Sequence, residues 1–298
     1  MMKHEGSQSK VIRLTDKLAQ RAVLNTEAEG GPRPNTRVIA ITSGKGGVGK
    51  TNIVANLAFV MTQLNKKVLV FDGDLGLGNI DVLLGLTPKH NISHVAMGMM
   101  KMTDIVVSGP GNMMILPASS GIESLTHLSE TQRDRIYASL RQMLASVDIF
   151  LIDTGAGISS NVMNFTSSAQ EIIVVVSPEP TSITDAYALM KVMRLHYSHR
   201  HFNLIVNFAK MAKEAYELYR QLKVVTDRFL DISLEYLGYV VADEEIPRGV
   251  KLQRVVSDLC PNSQASKCFA TLAKKIVESP RSGPPAGRLI FFRENAGG

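Results

Sequence analysis

From Arg37 onward the chain alternates short apolar runs with longer amphipathic stretches, the rhythm of strands interleaved with helices. Apolar runs predict strands over 37–42, 67–72, 113–117, 148–152, 171–176, 202–206 and 235–240. Helical spacing of apolar positions falls between most of them, notably over 51–64, 129–145, 181–195, 212–229 and 263–277. The runs Val68-Leu69-Val70-Phe71, Ile149-Phe150-Leu151-Ile152 and Ile172-Ile173-Val174-Val175-Val176 are apolar at every position rather than at alternate ones. A strand carries that pattern when helices cover both of its faces, as in a parallel sheet. The expected fold class is therefore α/β: a doubly wound, mostly parallel sheet flanked by helices on both faces. Ligand chemistry then gathers at the carboxyl ends of the strands.

Residues 1–36 lack such periodicity and end in Gly30-Gly31-Pro32-Arg33-Pro34, a linker composition. Residues 279–287, Ser-Pro-Arg-Ser-Gly-Pro-Pro-Ala-Gly, form a second linker before a short apolar tail. The expected organisation is a flexible extension over 1–36, one folded domain over 37–278, and a linker and tail over 279–298. No apolar stretch approaches the roughly 20 residues that span a bilayer. Met1-Met2-Lys3-His4-Glu5-Gly6 has no apolar signal region, so a cytoplasmic location is expected. Cys260 and Cys268 stand in no metal or redox spacing and read as structural thiols.

The chemistry begins directly after the first strand. Ser43-Gly44-Lys45-Gly46-Gly47-Val48-Gly49-Lys50-Thr51 completes the frame Gly-x-x-x-x-Gly-Lys-Thr between a strand and a helix. Glycines let successive backbone N–H groups converge on phosphate oxygens, and the positive end of the following helix adds to the same site. Gly44, Lys45, Gly46, Gly47, Val48, Gly49, Lys50, Thr51 and Asn52 are accordingly the expected nucleotide-binding residues. Lys50 is placed to neutralise β/γ-phosphate charge and the Thr51 hydroxyl to ligate Mg²⁺. Two further strands end in carboxylates, Phe71-Asp72-Gly73-Asp74 and Ile152-Asp153-Thr154-Gly155. Such carboxylates can hold Mg²⁺ through its waters or orient an attacking water.

With its second lysine, Lys45, the loop resembles the deviant Walker A of the MinD/ParA family, a group of P-loop NTPases. The resemblance implies an ATP- and Mg²⁺-dependent homodimer in which each Lys45 reaches the partner's nucleotide and acts catalytically with Lys50 and Asp74. Asp72-Gly73-Asp74-Leu75-Gly76-Leu77-Gly78-Asn79-Ile80-Asp81 is similar to the family's switch I, and by that likeness Asp74 orients the water and Asp72 stands on the metal side. Asp153 occupies the Walker B position, which makes Thr51, Asp72 and Asp153 the expected metal set. Asn207, ending the strand over 202–206, resembles the asparagine that hydrogen-bonds adenine. Val241-Ala242-Asp243-Glu244 lies where relatives line the base; a surface turn is the alternative.

Two segments, Asp153-Thr154-Gly155-Ala156-Gly157-Ile158-Ser159 and Pro178-Glu179-Pro180-Thr181-Ser182-Ile183-Thr184-Asp185-Ala186-Tyr187-Ala188-Leu189, are similar to the flagellar-number regulators of the FlhG/FleN subgroup. That implies an ATPase switch controlling flagellar number or placement. The implied partners are the flagellar-placement GTPase and flagellar transcription or basal-body factors. Division-site MinD and DNA-partitioning ParA are the alternatives. Ser7-Gln8-Ser9-Lys10-Val11-Ile12-Arg13 is a degenerate echo of the subgroup's GTPase activator. Gly287-Arg288-Leu289-Ile290-Phe291-Phe292-Arg293-Glu294 joins four apolar residues to flanking arginines. It reads either as a peripheral anchor for an anionic membrane, at the inner face of the cell membrane, or as a tail docked on its own domain. The net charge of +6 permits nucleic acid as a partner without requiring it, and the local basic cluster Lys191, Arg194, His196, His199, Arg200 and His201 reads first as a solvated helix end.

Overall fold

The computed structural model describes residues 36–74, 78–117 and 128–280. The activator-like segment, the apolar tail and Leu75–Leu77 of the switch lie outside the described residues.

Among the described residues, eight strands form one sheet: β1 (Arg37–Ser43), β2 (Val68–Gly73), β3 (Val107–Ser108), β4 (Met114–Leu116), β5 (Ile149–Ala156), β6 (Glu171–Val176), β7 (His201–Ala209) and β8 (Ser233–Val241). Their spatial order is β3-β4-β2-β5-β1-β6-β7-β8, parallel throughout except for the β3–β4 pair. The helices are α1 (Lys50–Gln63), α2 (Ile80–Leu83), α3 (Ile92–Ala96), α4 (Met102–Ile105), α5 (Glu130–Leu144), α6 (Ser160–Ser167), α7 (Pro180–Tyr197), α8 (Ala212–Phe229), α9 (Glu245–Lys251), α10 (Val256–Leu259) and α11 (Gln264–Glu278).

Alternate residues of β1 divide between the two faces. Ile39 and Ile41 join Ile53, Leu57 and Met61 of α1 and Phe269 and Leu272 of α11 in one core. Val38 and Ala40 face the opposite layer, which α5 fills with Ile136, Leu140 and Leu144. On that side α7 and α8 add Leu189, Met193, Leu218 and Leu222. This covering of both faces is why the central strands carry no polar alternation.

One buried polar residue ties the frame. Arg37 pairs with Glu171 across β1 and β6, and also donates to the Ile276 carbonyl and to Ser279 past the end of α11. Strand β1 lies between β5 and β6, with the chain running outward in both directions from it. That is a topological switch point, where a crevice opens at the strand ends.

Candidate functional site

The phosphate loop leaves β1 at this crevice. Gly47 and Gly49 take left-handed φ values of 79° and 81°, which turn the loop's amides inward and start α1 directly behind Gly49. No side chain caps α1, so its first N–H groups face the loop without a side-chain acceptor. Gly44 abuts the backbone of α7: a Cβ there would lie 2.2 Å from the carbonyl carbon and oxygen of Asp185. A cavity of about 680 Å³ opens over the loop, bounded by Asn52, Asp74, Asn79, Ala156 and Phe208.

Strand register delivers the carboxylates. Asp153 sits opposite Ile41 of β1 and opposite Asp72 of β2, so the ends of three adjacent strands bring both aspartates beside the phosphate loop. Asp153 is fully enclosed, and Lys50 Nζ stands 3.6 Å from its Oδ1. Burial pushes its carboxyl up, while the Lys50 charge and the Thr51 hydroxyl pull the other way and Asp74 adds to the rise. Among the described residues its Oδ1 has no hydrogen-bond partner. A buried carboxylate oxygen without a donor, beside a threonine hydroxyl, fits a hydrated divalent cation.

Asp72 is occupied differently. Its Oδ1 accepts from the Asp74 amide at 3.1 Å, and its Oδ2 accepts from the Asn79 and Ile80 amides at 2.9 and 3.1 Å. It therefore braces the two ends of the switch loop, a use that leaves less of it for the metal side where sequence likeness put it. Desolvation, then the neighbouring Asp153 charge, raises its pKa to about 7 against the pull of those amides. Asp74 lines the cavity, its Oδ1 3.6 Å from where a Cβ on Gly155 would lie.

Asn207 lies under the loop rather than at its rim. Its Nδ2 donates to the Val48 carbonyl at 2.8 Å, and its buried Oδ1 lacks a partner among the described residues. The free oxygen suits an exocyclic amino group of a base. Asp243 is engaged elsewhere through its side chain: its two oxygens accept the Glu245 and Ala265 amides and brace α9 and α11.

Lys45 turns out of the cavity. Its ammonium pairs with Glu179 and donates to Thr181 Oγ1 at 3.0 Å, both at the start of α7. The basic cluster at the other end of α7 is partly neutralised, since Arg194 and Arg200 both pair with Asp231.

Motif reasoning passed over several residues that shape the site. Phe208 holds a φ of 59°, uncommon for an aromatic residue, and borders the cavity beside Gly49. Gln253 reaches from the loop after α9 to the Val82 carbonyl at 3.0 Å, tying that loop to the segment behind the switch. Neither residue carries a mark in the sequence that motif reasoning could use.

Comparison with known proteins agrees with this geometry. The AAA domain family model matches residues 36–229. Antiactivator FleN of Pseudomonas aeruginosa is 43% identical over 258 residues, covering 87% of this chain and 92% of that protein. Flagellum site-determining protein YlxH of Helicobacter pylori is 34% identical, covering 87% and 89%. Among solved structures, septum site-determining protein MinD of Pyrococcus horikoshii, complexed with Mg-ADP, is 26% identical with a TM-score of 0.66, covering 82% of this chain and 96% of that one. The two-lysine loop, the paired strand-end aspartates and these likenesses converge: the chain belongs to the MinD/ParA family of P-loop ATPases, in the FleN/FlhG subgroup.

Proposed function

We propose that this ATPase works as a dimerising switch with slow turnover, in which two chains close over two molecules of ATP and Mg²⁺. The observation that carries the reading is the loop itself: one lysine, Lys50, is buried against Asp153, and the other, Lys45, stands on the outer rim. A rim lysine serves a second chain's nucleotide better than its own, supplying charge in trans as an arginine finger does. The backbone amides of Gly46 to Lys50 would cradle phosphates. Thr51 and Asp153 would hold Mg²⁺, the latter through water. Asn207 Oδ1 would accept the base amino group. Asp74 orients the attacking water, and Asp72 keeps Asp74 in place through the loop amides.

The switch output is the control of flagellar number or placement, by likeness to the proteins named FleN and YlxH. Its partners are then a flagellar-placement GTPase and flagellar transcription or basal-body factors. The apolar tail around Leu289–Phe292 provides a weak contact with anionic membrane that becomes useful when two copies are joined. Solution mass with Mg-ATP tests the core of this reading. Asp74→Ala should accumulate dimer because hydrolysis no longer resets it, and Lys45→Ala should remain monomeric. An Asp74→Ala protein that binds ATP yet stays monomeric overturns it.

A further inference from the structure

Among the described residues, strand β8 has a neighbour on one side only, β7. An edge of this kind leaves a row of backbone N–H and C=O groups open to pairing with another strand. The register shows which groups face outward. The Ser233 amide donates to the Arg200 carbonyl and the Ala242 amide to the Ala209 carbonyl, so residues 233 and 242 both point at β7. They are an odd number of positions apart, and unbroken alternation would turn one of them away. A bulge reconciles them: the pairing passes from Leu204 with Tyr236 to Ile205 with Gly238 and leaves Leu237 over. The carbonyls of Leu234 and Tyr236, with that of the extra residue Leu237, therefore lie on the free edge.

Each of these three carbonyls accepts from a side chain. Tyr219 of α8 donates its hydroxyl to Leu234 at 3.2 Å, and its ring is placed by that of Tyr236, 5.2 Å away. From the opposite face, Lys275 of α11 donates to Tyr236 at 2.7 Å and to Leu237 at 3.0 Å. One stripe of α11 follows the strand. Beyond Lys275, Leu272 Cδ2 lies 2.8 Å from where a Cβ on Gly238 would stand, and Cys268 lies beside the Val241 amide.

We propose that Tyr219 and Lys275 close the β8 edge against a second copy of this chain, so that nucleotide-free molecules do not join edge to edge. A second β8 is the strand excluded, because two identical edges can meet antiparallel about a two-fold axis, each supplying what the other lacks. Before its amides could bind, an approaching strand would have to displace one ammonium from two carbonyls and a hydroxyl from a third. The ammonium bonds are charge-assisted and therefore the harder to replace. The bulge adds a local twist that spoils the flat register a partner strand needs. The device lies at the outer edge of the sheet and does not depend on any reading of the nucleotide site.

The test is sedimentation equilibrium of the full chain without nucleotide, over a wide range of protein concentration. Lys275→Met keeps the stem and removes the donor. Loss of hydrogen bonds from a charged group shifts an equilibrium by about ten- to 100-fold, so self-association should strengthen by that factor. Tyr219→Phe removes a single oxygen and leaves the ring packing intact; it should strengthen association by about two- to ten-fold, and it decides the matter should Lys275→Met not fold. Lys275→Arg retains a cationic donor and should behave as the natural sequence. Hydrogen exchange locates the contact: amides of residues 234–241 should exchange more slowly in the associated Lys275→Met sample than in a dilute one. Unchanged mass for both Tyr219→Phe and Lys275→Met overturns the proposal. So does association that leaves exchange in β8 unaltered, or that Lys275→Arg reproduces in full.

Discussion

The four glycines of the phosphate loop meet different surroundings, which allows steric and conformational demands to be separated by alanine substitution. At Gly46 a Cβ would find its nearest neighbour, the Ala156 methyl, at 3.9 Å, an ordinary contact. Gly46→Ala should be neutral or stabilise the nucleotide-free protein by up to about 1 kcal/mol, because alanine restricts the unfolded chain. Gly47 has open space around it but a φ of 79°, so Gly47→Ala meets only the left-handed penalty of about 1–2 kcal/mol. Gly49 has both problems. Its φ is 81°, and a Cβ would stand 2.3 Å from Asn207 Nδ2 and 3.1 Å from the Phe208 ring. Displacing Asn207 breaks its bond to Val48 in a buried setting, which adds about 1–3 kcal/mol to the backbone penalty. Gly49→Ala should therefore cost about 2–5 kcal/mol in total. Gly44→Ala collides with main-chain atoms of Asp185 that cannot swing aside, and overpacking of that kind costs about 1–3 kcal/mol or more.

Urea unfolding of the nucleotide-free variants reads this order directly, and nucleotide affinity measured on the same samples shows which losses reach the site. The expected ranking is 46 below 47, with 44 and 49 clearly above both. Equal losses at 47 and 49 would show that Asn207 is not held by the loop. A Gly44→Ala protein as stable as the natural one would refute the close contact between the loop and α7.

Two further predictions concern buried charge. Arg37→Met strands Glu171 in the core and removes the donors to Ile276 and Ser279, so it should destabilise by about 3–5 kcal/mol; the double change Arg37→Met with Glu171→Leu should recover much of that loss in the same unfolding assay. The pKa of Asp72, raised to about 7 from an ordinary 3.8, means that burial favours its protonated form. Its stabilising contribution is complete below about pH 4 and is lost as pH rises to about 7, a span worth roughly 4 kcal/mol. In chelator, unfolding free energy should fall across that range, and Asp72→Asn should flatten the slope; an equally steep slope in the variant counts against the assignment.

Much of the sheet was legible because its central strands are covered on both faces, which writes itself as unbroken apolar runs such as Ile172–Val176. The two residues of β3 and the four or five residues each of α2, α3 and α4 are too short to show a period. The phosphate loop and strand-end aspartates were readable as local strings. The amides that surround Asp72 were not. Asp72 and Asp74 share a face of an extended segment, yet Asp72 is claimed by the amides of Asn79 and Ile80, which depends on how the chain returns after the switch. The contact between Lys45 and Glu179 spans 134 positions, and no periodicity links residues that far apart. Phe208 was hidden because its left-handed backbone is a property of the strand end and has no mark in residue type.

The arrangement of charge bears on how nucleotide and cation would bind together. Three carboxylates, Asp72, Asp74 and Asp153, stand at the ends of two adjacent strands, and of the two lysines that line the cavity, Lys50 and Lys251, it is Lys50 that stands 3.6 Å from Asp153. Burial and mutual repulsion push Asp72 and Asp153 toward their neutral forms, so the nucleotide-free site carries an electrostatic cost. Lys45 would relieve it, but its charge is spent on Glu179 outside the cavity. A divalent cation beside Asp153 would offset that cost, favour ionised carboxylates and so stabilise the folded chain by mass action. Phosphates held by the loop amides would add negative charge at the same place, which such a cation would offset. The fold would therefore gain most from cation and triphosphate together, while the loop's other lysine, Lys45, stays paired with Glu179 and Thr181 outside the cavity.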